Sequence, residues 1–170
     1  MILSHPFKLC LLFLASLYFQ SCILSEDEPP EEFVPITIPR AEFESSVKLE
    51  GPKPLGTTGK IYVKDSFLFI NEKNEGFHIF DNSDPSNPKP LHFLKAIGST
   101  DLAIRGTTLF INQAVDLISV EYDNTDNSIN VSKRIVNVFP KLPPPNGVLV
   151  NGVNDGELII GYRRIKLELL

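Results

Sequence analysis

The chain has 170 residues with 21 acidic and 16 basic side chains, and 42% of its residues are apolar. This length suits one domain, and the composition is that of a globular protein, which argues against wholesale disorder. The net charge of −5 argues against a nucleic-acid binder, and two cysteines are too few for a disulfide scaffold or a closed zinc site.

The first residues predict a secretory signal peptide followed by a lipid attachment site. Lys8 precedes an apolar run over residues 9–19, and this run is much shorter than the roughly 20 residues that a membrane-spanning helix needs. A short polar stretch then leads to Cys22, and this placement resembles a bacterial lipobox, although the residues FQS before the cysteine depart from the strict pattern. We therefore predict that residues 1–21 are removed and that Cys22 is acylated. The alternative is an ordinary signal peptide that contains a cysteine.

Residues 22–58 are predicted to form an acidic, proline-rich tether. Six of the 14 prolines lie here, and acidic side chains cluster between positions 26 and 32. Because proline removes backbone donors and like charges repel, the first part of this segment should be extended and solvated. Within it, residues 40–48 could form a short helix, since Phe43 and Val47 are four apart and would share one face.

Residues 59–170 carry the pattern of an all-β body. Short runs of branched and aromatic residues alternate with turns of Asn, Asp, Gly and Pro, and no segment sustains a helical apolar stripe over ten residues. The predicted strands are KIYV (60–63), FLFIN (67–71), GFHIFD (76–81), PLHFLKA (90–96), DLAIR (101–105), TLFINQ (108–113), DLISVEYD (116–123), VSKRIVNVF (131–139), GVLVN (147–151), ELIIGY (157–162) and IKLEL (165–169).

An internal repeat of about 41 residues runs through this body. A period of about 40–45 residues with four strands per unit is typical of β-propeller blades. The predicted fold is therefore all-β, with β-propeller-like blades of four antiparallel strands in an incomplete set of two to three. The residues matched at this offset are the LFIN runs at 68–71 and 109–112, Ile61 and Val63 with Leu102 and Ile104, and Phe77 and Ile79 with Ile118 and Val120.

One turn resembles a known repeat family. The segment GFHIFDNSDPSNPKP (76–90) is similar to the LVIVD repeat, whose core is a glycine, a short aliphatic strand, an aspartate and a Ser-Asp-Pro-x-x-Pro turn. The matching residues are Gly76, Ile79, Phe80, Asp81, Ser83, Asp84, Pro85 and Pro88.

The wider stretch over residues 47–162 also resembles bacterial envelope lipoproteins that carry this repeat. The corresponding turn of the second unit, EYDNTDNSIN (121–130), lacks both prolines. The resemblance implies a β-propeller-like fold and an extracytoplasmic lipoprotein, and it implies no catalytic residues.

The body is short for such a fold. Residues 59–170 hold about 2.7 units of 41 residues, whereas closed propellers have roughly four to eight blades. Three explanations are open: a shortened gene product, completion by another chain, or a small open β-assembly. We expect the first or the third.

Few residues qualify as catalytic or metal-binding candidates. His78 and His92 alternate with apolar neighbours, so we expect each on a more polar face or at a strand end rather than as a ligand or base. The aspartates at positions 81, 84 and 101 could be active carboxylates, but turn-forming and strand-capping roles are commoner for Asp. The run at 123–127 faintly resembles a calcium loop but lacks its ligands, and we interpret it as a hairpin turn.

The sequence thus predicts a non-enzymatic cell-envelope lipoprotein that needs no cofactor or metal and binds no nucleic acid. It would be anchored through Cys22, in the outer membrane on its periplasmic or surface face, and would present a β-repeat surface to an envelope protein or glycan. The alternative is a truncated propeller derived from a substrate-binding or hydrolase-type envelope protein.

Overall fold

The computed structural model describes residues 31–123, 125–147 and 153–166, and within these ranges the chain forms eleven strands and one short helix. The predicted all-β class is confirmed. The predicted signal peptide (1–21) and Cys22 lie outside the described residues. The elements in chain order are β1 (Glu31–Pro39), α1 (Arg40–Ser45), β2 (Lys48–Glu50), β3 (Thr58–Lys64), β4 (Phe67–Glu72), β5 (Gly76–Asp81), β6 (Lys89–Lys95), β7 (Ser99–Arg105), β8 (Thr108–Gln113), β9 (Asp116–Asp123), β10 (Ser128–Ile135) and β11 (Glu157–Lys166).

The strands form two larger antiparallel sheets and a two-stranded ribbon, all with open edges. Sheet A has the order β2-β6-β5-β4-β3, sheet B has the order β10-β9-β8-β7, and β1 pairs with β11 in the ribbon. Neighbouring strands within sheets A and B run antiparallel throughout. Across the described ranges, no helix is long and apolar enough to cross a membrane.

Sheets A and B follow the repeat seen in the sequence. The bounds of β3 and β7 differ by 41 residues at both ends, as do those of β4 and β8. The next strands break this offset because the β4–β5 turn spans residues 73–75, whereas the β8–β9 turn spans only 114–115. The β5 and β9 strands therefore correspond at an offset of 40.

The shorter turn corrects part of the expected alignment. The strand registers match Phe77 with Leu117 and Ile79 with Ser119, so the predicted matches of Phe77 and Ile79 to Ile118 and Val120 are wrong by one residue. Because a slip of one residue moves a side chain to the opposite face of a strand, the correction decides which residues of the two sheets are equivalent.

The core lies between sheets A and B. Sheet A contributes a face rich in phenylalanine, and sheet B contributes aliphatic side chains, as expected for two sheets packed face to face. Burial of each such large side chain stabilises the fold by about 1.5–3 kcal/mol. The buried core residues are Phe69, Phe77, Ile79, Leu94 and Ala96 from sheet A and its flank, with Leu102, Leu109, Ile111, Ile118 and Val120 from sheet B.

Residues 31–50 belong to the folded body, unlike the predicted tether over 22–58. They lie in the same compact unit as the two sheets, which spans Glu31–Ile165. Phe43 is fully buried and Ile38 is 5% exposed, which explains why this proline-rich segment folds. The prolines within β1 are tolerated because a two-stranded ribbon leaves each strand with an edge.

The predicted helix over 40–48 is shorter than expected. α1 ends at Ser45, and residues 48–50 instead pair with β6 as strand β2. The hydroxyls of Ser45 and Ser46 donate to the carbonyl oxygens of Glu42 and Phe43 at 3.0 and 2.7 Å. Serine competes with helix propagation through such local bonds.

A glycine fixes the turn that starts β5. Gly76 has φ = +154°, and a Cβ at this position would lie 2.1 Å from the carbonyl oxygen of Leu94. Because that oxygen is backbone and cannot move aside, any larger residue would strain the β5–β6 pairing.

Candidate interaction cleft

A cleft of about 560 Å³ opens between sheets A and B where several hairpin turns meet. The β3–β4 turn contributes Asp65, the β7–β8 turn contributes Gly106 and Thr107, and the β9–β10 hairpin forms a third side. The β3–β4 and β7–β8 turns occupy equivalent positions of the repeat, and the β9–β10 hairpin lies at the same end as β7–β8 because alternate turns of an antiparallel meander share an end. This volume lies within the range of about 300–1,000 Å³ typical of ligand pockets.

The floor of the cleft is apolar and aromatic. Phe67, Phe69, Ile104 and Leu109 line it and belong to the layer between the sheets. The ring of Tyr122 stands edge-to-face against Phe67, with ring centroids 5.9 Å apart. Burial raises the pKa of Tyr122 above its usual value of 10.0, so its phenol is neutral at physiological pH.

The rim of the cleft carries an excess of acidic side chains. Asp65, Glu121 and Asp123 line it together with Lys64, whose ammonium contacts the carboxylate of Asp65. Hydrogen bonds from the backbone and side chain of Thr125 hold the pKa of Asp123 below its ordinary value. Three carboxylates against one ammonium disfavour an anionic partner. The rim suits a neutral or cationic partner that donates hydrogen bonds.

His78 does not reach this cleft, and it does not lie on a polar face as we expected. Its side chain is 2% exposed, and its Nε2 lies 3.0 Å from a carboxylate oxygen of Glu72, which is itself 4% exposed. The Phe93 ring packs against the imidazole at 4.9 Å between centroids. The backbone N–H groups of Gly56 and Thr57 donate to the same carboxylate. This buried pair has no access to a substrate and secures the segment before β3.

The other histidine and two of the aspartates have local partners. His92 Nε2 lies 2.9 Å from Asn127 Oδ1. Asp81 accepts hydrogen bonds from the N–H and hydroxyl of Ser83, and Asp84 accepts the same pair from Ser86. The expected turn-forming role of both aspartates is confirmed.

Asp101 joins the two sheets. Its carboxylate accepts hydrogen bonds from Lys60 Nζ at 2.7 Å and from the Tyr62 hydroxyl at 2.5 Å. Burial and the hydrogen bond to Asp101 raise the pKa of Tyr62 to about 12. Lys60 of β3 and Asp101 of β7 occupy equivalent positions of the repeat. Their ion pair therefore links the first strand of one repeat unit to the first strand of the next.

Asp116 is, like Glu72, a buried acid, and it was not identified as a candidate from the sequence. It is fully buried and accepts hydrogen bonds from Arg40 Nη1 at 2.5 Å, Arg134 Nη1 at 2.8 Å and the N–H of Asn137 at 3.1 Å. The two guanidinium groups also lie over the Phe43 ring, 5.7 and 5.3 Å from its centroid. This cluster links α1 to sheet B. The position of Asp116 at the start of the apolar strand β9 is the sequence feature that could have indicated this cluster.

The β9–β10 pairing confirms the predicted hairpin at 123–127, where the N–H of Thr125 donates to Asp123 at 2.7 Å. In the ranges that the structure describes, no three His, Cys, Asp or Glu side chains are grouped so that they could hold a metal ion. No protein-family model, curated protein or solved structure matches the chain.

Proposed function

We propose that this chain is a non-enzymatic interaction module of the cell envelope, and that its partner binds in the cleft between sheets A and B. The observation that carries this proposal is the cleft itself. It combines an aromatic floor with a polar rim in a volume of about 560 Å³. Such a combination is typical of binding sites, in which apolar walls supply affinity and a few polar groups supply specificity.

We further propose that sheets A and B are blades of a β-propeller-like LVIVD-repeat protein. Two features support this assignment. Strands β3–β6 and β7–β10 each form an antiparallel meander of four strands. The two meanders repeat at about 41 residues and pack face to face through a shared core, which is how neighbouring blades bury their apolar faces.

The partner is proposed to be an envelope protein or a glycan. The acidic rim favours an uncharged sugar or a basic peptide segment, because both present donors to the carboxylates and neither adds negative charge. Binding rather than catalysis is supported by the position of the Glu72–His78 pair, which is buried away from the cleft.

A pair of cleft variants tests this proposal. Glu121 and Asn130 line the cleft and are exposed, so Glu121→Arg and Asn130→Arg should fill the opening without disturbing the core. We expect both variants to lose about tenfold or more in the amount of partner captured from envelope extracts or on a glycan array. Ile135 lies at the end of β10 away from the β9–β10 hairpin, does not line the cleft and is 44% exposed, so Ile135→Arg is the matched control and should bind like the wild type. Equal capture by all four proteins would contradict the cleft as the binding site.

The envelope location is proposed from Cys22 and the segment before it. Acyl chains at Cys22 would hold the chain at a bilayer, since each buried CH₂ contributes about 0.8 kcal/mol. We propose the outer membrane, on its periplasmic or surface face, as the location.

Labelling cells with a palmitate analogue tests the anchor. The wild-type chain should be labelled and Cys22→Ala should not be. Cys10→Ala is the control, because Cys10 lies inside the predicted signal peptide, and this variant should keep the label. A wild-type chain without label would contradict the anchor while leaving the cleft proposal intact.

A further inference from the structure

Sheet A has an apolar face on the side turned away from sheet B. Ile61 pairs with Ile70 and Val63 with Leu68 across β3 and β4, so these four side chains form one patch. Ile61 is 63% exposed and Val63 is 64% exposed, while Leu68 and Ile70 are half-buried. A contiguous exposed patch of large aliphatic side chains marks an interaction surface.

The equivalent patch in the second repeat unit is covered by another sheet. Its counterpart in sheet B has the same pairing, Leu102 with Ile111 and Ile104 with Leu109. There Leu102 is 5% exposed, Leu109 is 2% exposed and Ile111 is fully buried, because the patch packs against sheet A. Equivalent residues are therefore buried in one repeat and exposed in the other.

The surface that covers the patch of sheet B is the opposite face of sheet A, which presents Tyr62, Phe69 and Phe77. The strand registers assign the corresponding positions on the outer face of sheet B to Ala103, Phe110 and Leu117. The chain itself thus carries a counterpart of the surface that would cover the exposed patch.

That outer face of sheet B is shaped to receive side chains. Ala103, Phe110 and Leu117 line a groove of about 250 Å³ together with Asn112 and Phe139. Most of the lining of this groove is apolar, so it suits aliphatic side chains.

We propose that the Ile61–Val63 patch of one copy of this chain docks on the Ala103–Phe110–Leu117 face of a second copy. The contact is head-to-tail, since each copy uses one surface for one neighbour and a different surface for the next. It continues between chains the packing that sheets A and B already make within one chain. This differs from the expectation from sequence, which favoured a shortened chain or an open assembly over completion by another chain.

Complementary variants test the contact by sedimentation velocity on the full chain, with detergent in every sample so that acyl groups do not drive association. Val63→Lys spoils the patch, and Ala103→Lys spoils the opposite face. Both positions are exposed, so the fold should survive. Each variant should weaken self-association about tenfold or more relative to the wild type. An equimolar mixture of the two should form dimers, because one intact surface of each kind is left. Ile36→Lys, at a position 45% exposed on β1 of the ribbon and outside sheets A and B, should associate like the wild type.

Three results would overturn the proposal. A wild-type chain that is monomeric at all concentrations would mean that another segment of the chain or a different protein covers the patch. A mixture that stays monomeric would exclude the head-to-tail arrangement. An equal effect of Ile36→Lys would show that added charge alone weakens association. The result of this self-association experiment does not depend on whether the cleft binds a partner, because the cleft variants change other residues.

Discussion

Replacing Asp116 by alanine should lower the free energy of unfolding by about 3–5 kcal/mol. The carboxylate is fully buried, and it receives Arg40, Arg134 and the N–H of Asn137. Removing it leaves two guanidinium groups facing each other, of which Arg134 is 14% exposed and keeps no carboxylate partner among the described residues, while Arg40 keeps only its longer contact of 3.4 Å to Glu44. The loss should appear as a lower urea midpoint with an unchanged m-value.

The matched control for this variant is Glu75→Ala. Glu75 also forms an ion pair, with Lys53, but its side chain is 59% exposed, so its removal should cost less than about 1 kcal/mol. The conservative variant Asp116→Asn keeps the volume and loses the charge, and should fall between the two. If Asp116→Ala cost no more than Glu75→Ala, the cluster would not be what holds α1 to sheet B.

Replacing Glu72 by glutamine should cost about 3 kcal/mol at neutral pH. Burial alone would raise the pKa of this carboxyl, but hydrogen bonds from Gly56, His78 and Thr57 outweigh it, and the pKa lies below its ordinary value of 4.5. Glutamine keeps the shape of the side chain, loses one acceptor oxygen and loses the charge. The bonds that hold the segment before β3 should weaken accordingly.

The pH dependence of stability gives a second readout for Glu72. Because its pKa is lowered on folding, its contribution to stability is fully present above about 4.5 and is lost as pH falls through the lower folded value. The stability difference between the wild type and Glu72→Gln should therefore shrink below pH 4.5.

Glu75→Gln is the control, since Glu75 also pairs with a lysine but is 59% exposed. Its effect on stability should be small at every pH. A difference between the wild type and Glu72→Gln that stays constant down to strong acid would show that the carboxylate of Glu72 is not ionised in the folded protein.

The sequence was most informative where apolar runs lie between clear turns. β5, β8 and β9 have the predicted bounds because residues such as Gly76 and the Asn-rich turns fix where each strand begins and ends. The 41-residue offset predicted β3 and β4 together with their counterparts β7 and β8. The same offset placed β9 one residue out of alignment with β5, because the β8–β9 turn is one residue shorter than the β4–β5 turn. The similarity of the strand sequences does not reveal this difference in turn length.

The fate of residues 31–50 could not be predicted from local composition. Prolines and acids indicated a solvated tether, whereas Phe43 and Arg40 have their partners far along the chain. The Arg40–Asp116 contact spans 76 residues, and it depends on the tertiary position of β9. The cleft was missed for the same reason, because Phe67 and Tyr122 meet only once sheets A and B have packed together.

Amide hydrogen exchange on the full chain tests most directly whether the folded body comprises residues 31–165, with two repeat sheets packed on each other. The structure predicts the slowest exchange in β4, β5, β8 and β9, which are central strands of sheets A and B. It also predicts protection in β2 and α1, where Phe43 is fully buried. Slow exchange over both regions would support the account. Exchange of residues 31–50 at the rate of an unstructured peptide, with protection beginning only at β3, would contradict it.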